Sequence, residues 1–296
     1  MKTNTIVRIV LFSLAIVVLS SILLGILCVD RFMVDGTIDL EVIDSVETQN
    51  QEQTQKEFPS DIQNIDIAWV AGTITVMEDS SVQNILVKEY STRDNADRMI
   101  CKQSGKTLEI QFQEESVTFF GIGNHEVISK DLIVLVPTGW TCSSLEIDGA
   151  AADVHIQNIR MKELDFDGAS GKLNVQNCDI DSMEIETASG DVEFYGILNK
   201  LDFDAASAKF VGQFYRIPER LTLNAMSGDV ILTLPEDSGF TLELDALSGS
   251  FDSDFTFRSN DSLYECGDGA CNIRVSGLSG DVSIHKGISQ PENCDH

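Results

Sequence analysis

The chain has 296 residues, with 20 basic side chains against 48 acidic ones and a formal net charge of −28. A field of that sign repels phosphate backbones and argues against nucleic-acid binding, while 43% hydrophobic content suffices for one large or two modest folded domains. Seven cysteines, at 28, 101, 142, 178, 266, 271 and 294, are too sparse for a disulfide scaffold, and none stands in a Cys-x-x-Cys pair.

From the N-terminus, residues 9–29 (IVLFSLAIVVLSSILLGILCV) run without a charge. As a helix they span roughly 30 Å, the thickness of a bilayer core. Lys2 and Arg8 precede the run and Asp30 follows it, which places residues 1–8 in the cytoplasm. A cleaved signal peptide is the competing reading, but the run is longer than a usual signal core and no Ala-x-Ala site ends it. Lipidation at Cys28 is disfavoured by Leu27, where processing wants a small side chain. The expectation is a single-pass protein of the cell membrane with its C-terminal domain outside the cytoplasm. Residues 30–64 contain ETQNQEQTQKE, which has almost nothing to bury and reads as a polar tether.

Periodicity starts at Ile65, and from there the chain repeats itself. Apolar runs begin at Leu145, Leu164, Met183, Leu201, Leu221, Leu242 and Ile273, spaced 19, 19, 18, 20, 21 and 31 residues apart. Two positions on stand Ile147, Phe166, Ile185, Phe203, Leu223, Leu244 and Val275; nine positions on stand Val154, Leu173, Val192, Phe210, Val230, Phe251 and Val282. Between them lies a small-residue corner such as GASG, TASG, AMSG or GLSG. Alternating residues read as strands with one buried face, and glycine turns the corner with φ > 0 at little cost. A period of about 20 residues with two or three short strands per copy predicts an all-β single-stranded β-helix, a solenoid over residues 65–287 in which each coil pairs with the next. The segment IDIAWVAGTITV at 65–76 fits as an earlier copy. After the corner, Asp153, Lys172, Asp191, Lys209 and Asp229 alternate in sign, which predicts opposite charges stacked up one edge. The long last spacing marks an insertion at about 256–272, and 288–296 is a C-terminal tail.

The series LDFDGASGKLNVQN, MEIETASGDVEFYG and LTLNAMSGDVILTLP, preceded by LIVLVPTGW, resembles the bacterial putative-adhesin family. That family is a domain of unknown function with β-strand repeats and includes LiaG-like cell-envelope proteins. The resemblance covers roughly residues 64–287. It implies a β-helix at the cell surface and brings no catalytic residue.

The chemistry available is limited. His125, His155, His285 and His296 are scattered without ligand spacing, no Gly-x-Ser-x-Gly elbow occurs, and GIGN at 121–124 is a loop rather than a phosphate cradle. The corner serines Ser189, Ser227, Ser248 and Ser279 explain themselves as turn residues. Cys266 and Cys271 flank Gly-Asp-Gly in ECGDGAC, so a local disulfide and two unpaired thiols both remain open.

One constellation stands out. Three residues into each copy come Asp148, Asp167, Glu186, Asp204, Asn224 and Asp245; one residue in come Glu146, Asp165, Glu184, Asp202, Thr222 and Glu243. Like charges on adjacent strands repel by about 1 kcal/mol per pair even in water. The column Asp148, Asp167, Glu186 and Asp204 is a candidate for Ca²⁺, which prefers oxygen ligands, or for a cationic peptide, polymer or envelope protein. A solvated acidic face that prevents aggregation is the plain alternative. The sequence thus predicts a non-catalytic, adhesin-like binding or structural module without a cofactor, or an envelope-stress component that binds cations through its acidic face. A polysaccharide-active enzyme is disfavoured, because columns this uniform show no aromatic cleft with paired carboxylates.

Overall fold

Alternation of apolar and polar residues is carried through into nineteen strands, with no helix among the described residues. The structure, a computed structural model, describes residues 51–91, 98–112, 129–246, 248–260 and 262–287. The predicted anchor 9–29, the start of the tether and the tail 288–296 lie outside them, and no described helix is long and apolar enough to cross a membrane.

In chain order the strands are β1 (Gln51–Phe58), the bent β2 (Asn64–Glu78), β3 (Ile85–Ser91), β4 (Ile100–Ser104), β5 (Thr107–Gln111) and β6 (Lys130–Val136). The regular array follows as β7 (Thr141–Gln157), β8 (Arg160–Ser170), β9 (Leu173–Ser189), β10 (Val192–Ser207), β11 (Phe210–Phe214), β12 (Arg220–Ser227) and β13 (Val230–Pro235). Last come β14 (Phe240–Ala246), β15 (Phe251–Ser253), β16 (Arg258–Asn260), β17 (Leu263–Cys266), β18 (Cys271–Ser279) and β19 (Val282–Gly287). Residues 51–58, read from the sequence as tether, pair antiparallel with β3. An edge strand tolerates polar side chains on both faces, so composition hides it.

The coils turn a small-residue corner between two parallel sheets, with glycine at Gly72, Gly171, Gly190, Gly228, Gly249 and Gly280 and alanine at Ala152 and Ala208. The pre-corner sheet runs β5–β2–β7–β8–β9–β10–β12–β18–β14. The post-corner sheet runs β6–β2–β7–β9–β10–β11–β13–β19–β15. A short third side carries Cys142, Met161, Ile180 and Leu198 inward, beyond a second corner where Asn158 and Asn177 adopt left-handed φ of 58° and 54°. The columns predicted to be apolar are the core: Leu164, Met183, Leu201 and Leu221 are at most 1% exposed, and Phe203 and Phe210 are fully buried.

Coils do not stack in chain order at either end. The coil of β5 and β6 lies outside β2 although it follows it in sequence. At the other end β18 and β19 slot between β12–β13 and β14–β15, so the last coil in sequence is the penultimate one in space. The predicted insertion is the hairpin of β16 and β17, which joins the outer edge of β14 and brings Tyr264 against Phe251 (ring centroids 4.9 Å apart) and Phe257 (5.3 Å). These aromatics cover the end of the core that an open solenoid leaves wet.

The glycine corner has two causes. Gly190 sits at φ +155°, and a Cβ there would lie 2.0 Å from the carbonyl oxygen of Gly171 one coil below. Gly228 repeats this against Ala208, Gly280 against Gly228, and Gly249 against Gly280. The aspartate of Ser-Gly-Asp has a further task. Asp153 accepts a hydrogen bond from the backbone N–H of Lys172 (2.9 Å), Asp191 from Lys209 (3.4 Å) and Asp229 from Asp281 (3.0 Å). The alternating column therefore works through carboxylate and backbone: among the described residues no ion pair joins Lys172 or Lys209 to it.

At the N-terminal end, Lys130 and Glu89 form an ion pair of 3.1 Å with both side chains at most 1% exposed. Glu89 also accepts from the Met99 N–H (3.0 Å), and the Lys130 ammonium lies 4.5 Å from the Phe112 ring centroid. The signal for it was Glu89 standing in the inward phase of ILVKEYS.

Gly190→Ala is expected to cost at least about 1–2 kcal/mol, from the positive φ and the struck carbonyl together; an unchanged urea midpoint would refute the close approach. Lys130→Met should cost about 3–5 kcal/mol by leaving the Glu89 carboxylate buried without its cation, whereas Glu89→Leu combined with Lys130→Met should restore most of it. Equal losses in the single and double variants, read by thermal melts, would show that the ion pair itself is not the source.

Candidate functional site

Pairing in register turns the acidic positions of the repeat into a ladder on the outward side of the pre-corner sheet. Glu146 faces Asp165, Asp165 faces Glu184, and Glu184 faces Asp202; alongside, Asp148 faces Asp167, Asp167 faces Glu186, and Glu186 faces Asp204. Parallel strands lie about 4.8 Å apart, so each carboxylate has a like charge one strand spacing away, and Glu146, Asp165, Asp167, Glu184 and Glu186 have one on either side.

The ladder is longer at its N-terminal end than the sequence columns suggest. Asp66 of β2 pairs with Glu146 on one side and with Glu109 of β5 on the other. Glu109 was missed because β5 enters the stack out of chain order. At the other end the ladder stops where the displaced coil enters. Thr222 and Asn224 are followed by Arg274 and Ser276, not by Glu243 and Asp245. The Arg220 guanidinium donates to Asp202 (2.9 Å), the Asn224 amide to Asp204 (2.9 Å), and Arg274 Nε to Glu243 (2.9 Å).

Between Asp66 and Glu186 no described basic group forms an ion pair with these carboxylates. Partial burial against neighbouring side chains raises the pKa of Asp66, Glu146, Asp165, Asp167, Glu184 and Glu186, and the adjacent carboxylates push the same way. Both causes disfavour the charged form.

The structure locates both sets of candidate residues. Among the described residues no three His, Cys, Asp or Glu side chains converge to hold a metal ion. Asp148, Asp167, Glu186 and Asp204 form a straight ladder, whose side chains leave the sheet in parallel rather than closing a Ca²⁺ cage. Cys266 and Cys271 are free thiols. Both stand opposite Phe240, Cys266 on one edge of β14 and Cys271 on the other. Two strand spacings, about 10 Å, separate them, and a disulfide needs Cα atoms closer than about 7 Å. The Gly-Asp-Gly turn wraps around the start of β14, and burial pushes the Cys271 thiol up to about 12. His155 lies half-buried on the post-corner sheet, while His125, His296, Cys28, Cys294 and residues 121–124 fall outside the described residues.

A shallow groove follows the glycine corner, lined by Ser189, Gly190, Asp191, Lys209, Ser227 and their counterparts in neighbouring coils. It is open along its length and brings together no nucleophile–base pair.

The fold and ladder define an all-β solenoid with one strongly acidic outward sheet. The chain belongs to the Toastrack DUF4097 family, whose model matches residues 62–285. A comparison with curated proteins found no match. Among solved structures, a "putative adhesin" from Bacteroides fragilis is 14% identical with a TM-score of 0.46, over 78% of this chain and 96% of that one. A "putative cell adhesion protein" from Clostridium sporogenes is 9% identical with a TM-score of 0.39, over 81% and 100%. A "putative lipid binding protein" from Parabacteroides distasonis is 14% identical with a TM-score of 0.34, over 79% and 96%. Likenesses this distant say nothing of what this chain binds.

The raised carboxyls set a pH dependence. A group whose pKa is raised on folding binds its proton more tightly in the native chain, so stability falls as pH rises through its titration. Asp79, Asp254 and Asp281 are held low by hydrogen bonds and act in the opposite sense. With six groups against three, the melting temperature should rise as pH is lowered from 7 toward the ordinary carboxyl range of about 4–5. Asp165→Asn with Asp167→Asn should flatten that rise; a melting temperature that drops steadily from pH 7 would contradict it.

Proposed function

We propose that the chain is a membrane-anchored, non-catalytic binding module of the bacterial envelope, held by residues 9–29 and presenting its acidic sheet to the exterior. The ladder carries this reading. A solenoid needs only inward apolar columns and corner glycines, yet this one keeps ten carboxylates from Glu109 to Asp204 on six adjoining strands. Their mutual repulsion opposes folding and falls when a cationic partner docks. Partial burial, and then the neighbouring carboxylates, raise the pKa of six of the ten. Membership of the Toastrack DUF4097 family and the stiffness of a fully hydrogen-bonded sheet agree with a display role.

The same ladder favours a second reading, an envelope-stress component that captures cationic peptides before they reach the membrane. Both readings place the partner on the pre-corner sheet. They differ in whether occupancy alters another protein.

The test is binding of a fluorescent oligolysine peptide to the full chain in detergent, read by anisotropy at two salt concentrations. Binding should weaken steeply with salt and fall at least about tenfold in a variant carrying Asp165→Asn, Asp167→Asn, Glu184→Gln and Glu186→Gln. Equal binding by that variant, with its melting curve intact, would end the proposal. A melt with Ca²⁺ against Mg²⁺ separates a site for one ion, which gives a specific shift, from a diffuse field, which does not.

A further inference from the structure

The two outward sheet surfaces are built oppositely. On the eight adjoining strands from β5 to β18 of the pre-corner sheet, the two outward columns hold ten carboxylates in sixteen positions. On the eight adjoining strands from β6 to β19 of the post-corner sheet, the corresponding sixteen positions hold one formal charge, Glu193. That carboxylate is already engaged, accepting from the Asn174 amide at 3.1 Å. In a chain of net charge −28, a sheet surface of this extent with a single formal charge is the exception. Soluble chains normally keep charges on such surfaces to prevent association.

We propose that the post-corner sheet is the interface between two copies of this chain, packed face to face about a twofold axis. Its side chains suit their own image. Gln157, Gln176, Tyr195, Gln213 and Thr233 follow one another in one column, and each donates as well as accepts hydrogen bonds, so an amide or hydroxyl meets its like across the axis without an unpaired group. Val211 and Ile231 stand beside that column on adjoining strands and supply apolar contact. Carboxylates only accept, so two acidic sheets repel and the same packing cannot form there. The area is adequate. The eight strands from β6 to β19 extend about 34 Å across and about 16 Å along the chain direction. That is roughly 540 Å² on each partner and about 1,100 Å² in all, above the roughly 1,000 Å² that a specific interface clears. A dimer packed this way turns both acidic sheets outward. The inference does not depend on what those sheets bind.

The test is the mass of the full chain in mild detergent by light scattering, with the detergent contribution subtracted. The protein mass should be twice the 32.5 kDa of one chain. Gln176→Lys with Gln213→Lys, two outward changes checked by an unchanged melting curve, should raise the dimer dissociation constant about a hundredfold or more by setting like charges against each other. Asp167→Lys with Glu186→Lys on the other sheet should leave the mass unchanged. A monomer at concentrations well above micromolar, as a lipid- or glycan-facing surface would give, overturns the proposal. So does a dimer that survives the lysines, which would point to association through residues 9–29.

Discussion

Everything in this molecule depends on coils stacking in register at the spacing of a β-sheet. At about 4.8 Å per coil each residue of the repeat lies over its counterpart, so a choice made once per repeat is multiplied along the axis. An inward Leu or Phe becomes a continuous core column. At Gly171, Gly190, Gly228, Gly249 and Gly280 glycine becomes a necessity, because the carbonyl of the adjoining coil occupies the place a Cβ would take, while Ala152 and Ala208 hold the corner in their own coils. A corner aspartate becomes a clamp from one coil to the backbone of the next.

The same rule makes surface chemistry collective. A single outward carboxylate is unremarkable, but repeated in register it becomes a ladder in which partial burial, and then the neighbouring carboxylates, raise the pKa of groups such as Asp167 and Glu186. The ladder ends at Thr222 and Asn224 of β12, where Arg220 and Asn224 donate to Asp202 and Asp204, and Arg274 follows in the column. On the other side of the corner the outward columns hold amides, hydroxyls, imidazoles and apolar groups, with Glu193 as their one formal charge. The corner thus divides a strongly acidic surface from a nearly uncharged one.

Both ends of the solenoid solve the problem of an exposed core. At the N-terminal end a coil that comes later in sequence stacks outside β2, with the buried Glu89–Lys130 pair and the Phe112 ring beneath it. At the C-terminal end the hairpin of β16 and β17 lays Phe257 and Tyr264 against Phe251. Neither arrangement repeats, and neither was legible from the repeat. Polar β1, the out-of-order coils and the neutral sheet were all missed on the same ground: a pattern search follows what recurs along the chain, whereas these features arise from residues far apart in it.

What the sequence by itself determined was whatever a short period enforces locally. Strand, corner and strand, the apolar core columns and the outward acidic columns from Glu146 to Asp204 all follow from period-2 alternation and a small residue at a fixed offset. Tertiary structure alone decided which coils are neighbours. Pairing between coils uses backbone groups that are the same at every position, so it carries no record of order. That is why Glu109 joins the ladder while Glu243 and Asp245 leave it, and why Cys266 and Cys271, five residues apart in the chain, stand on opposite edges of one strand.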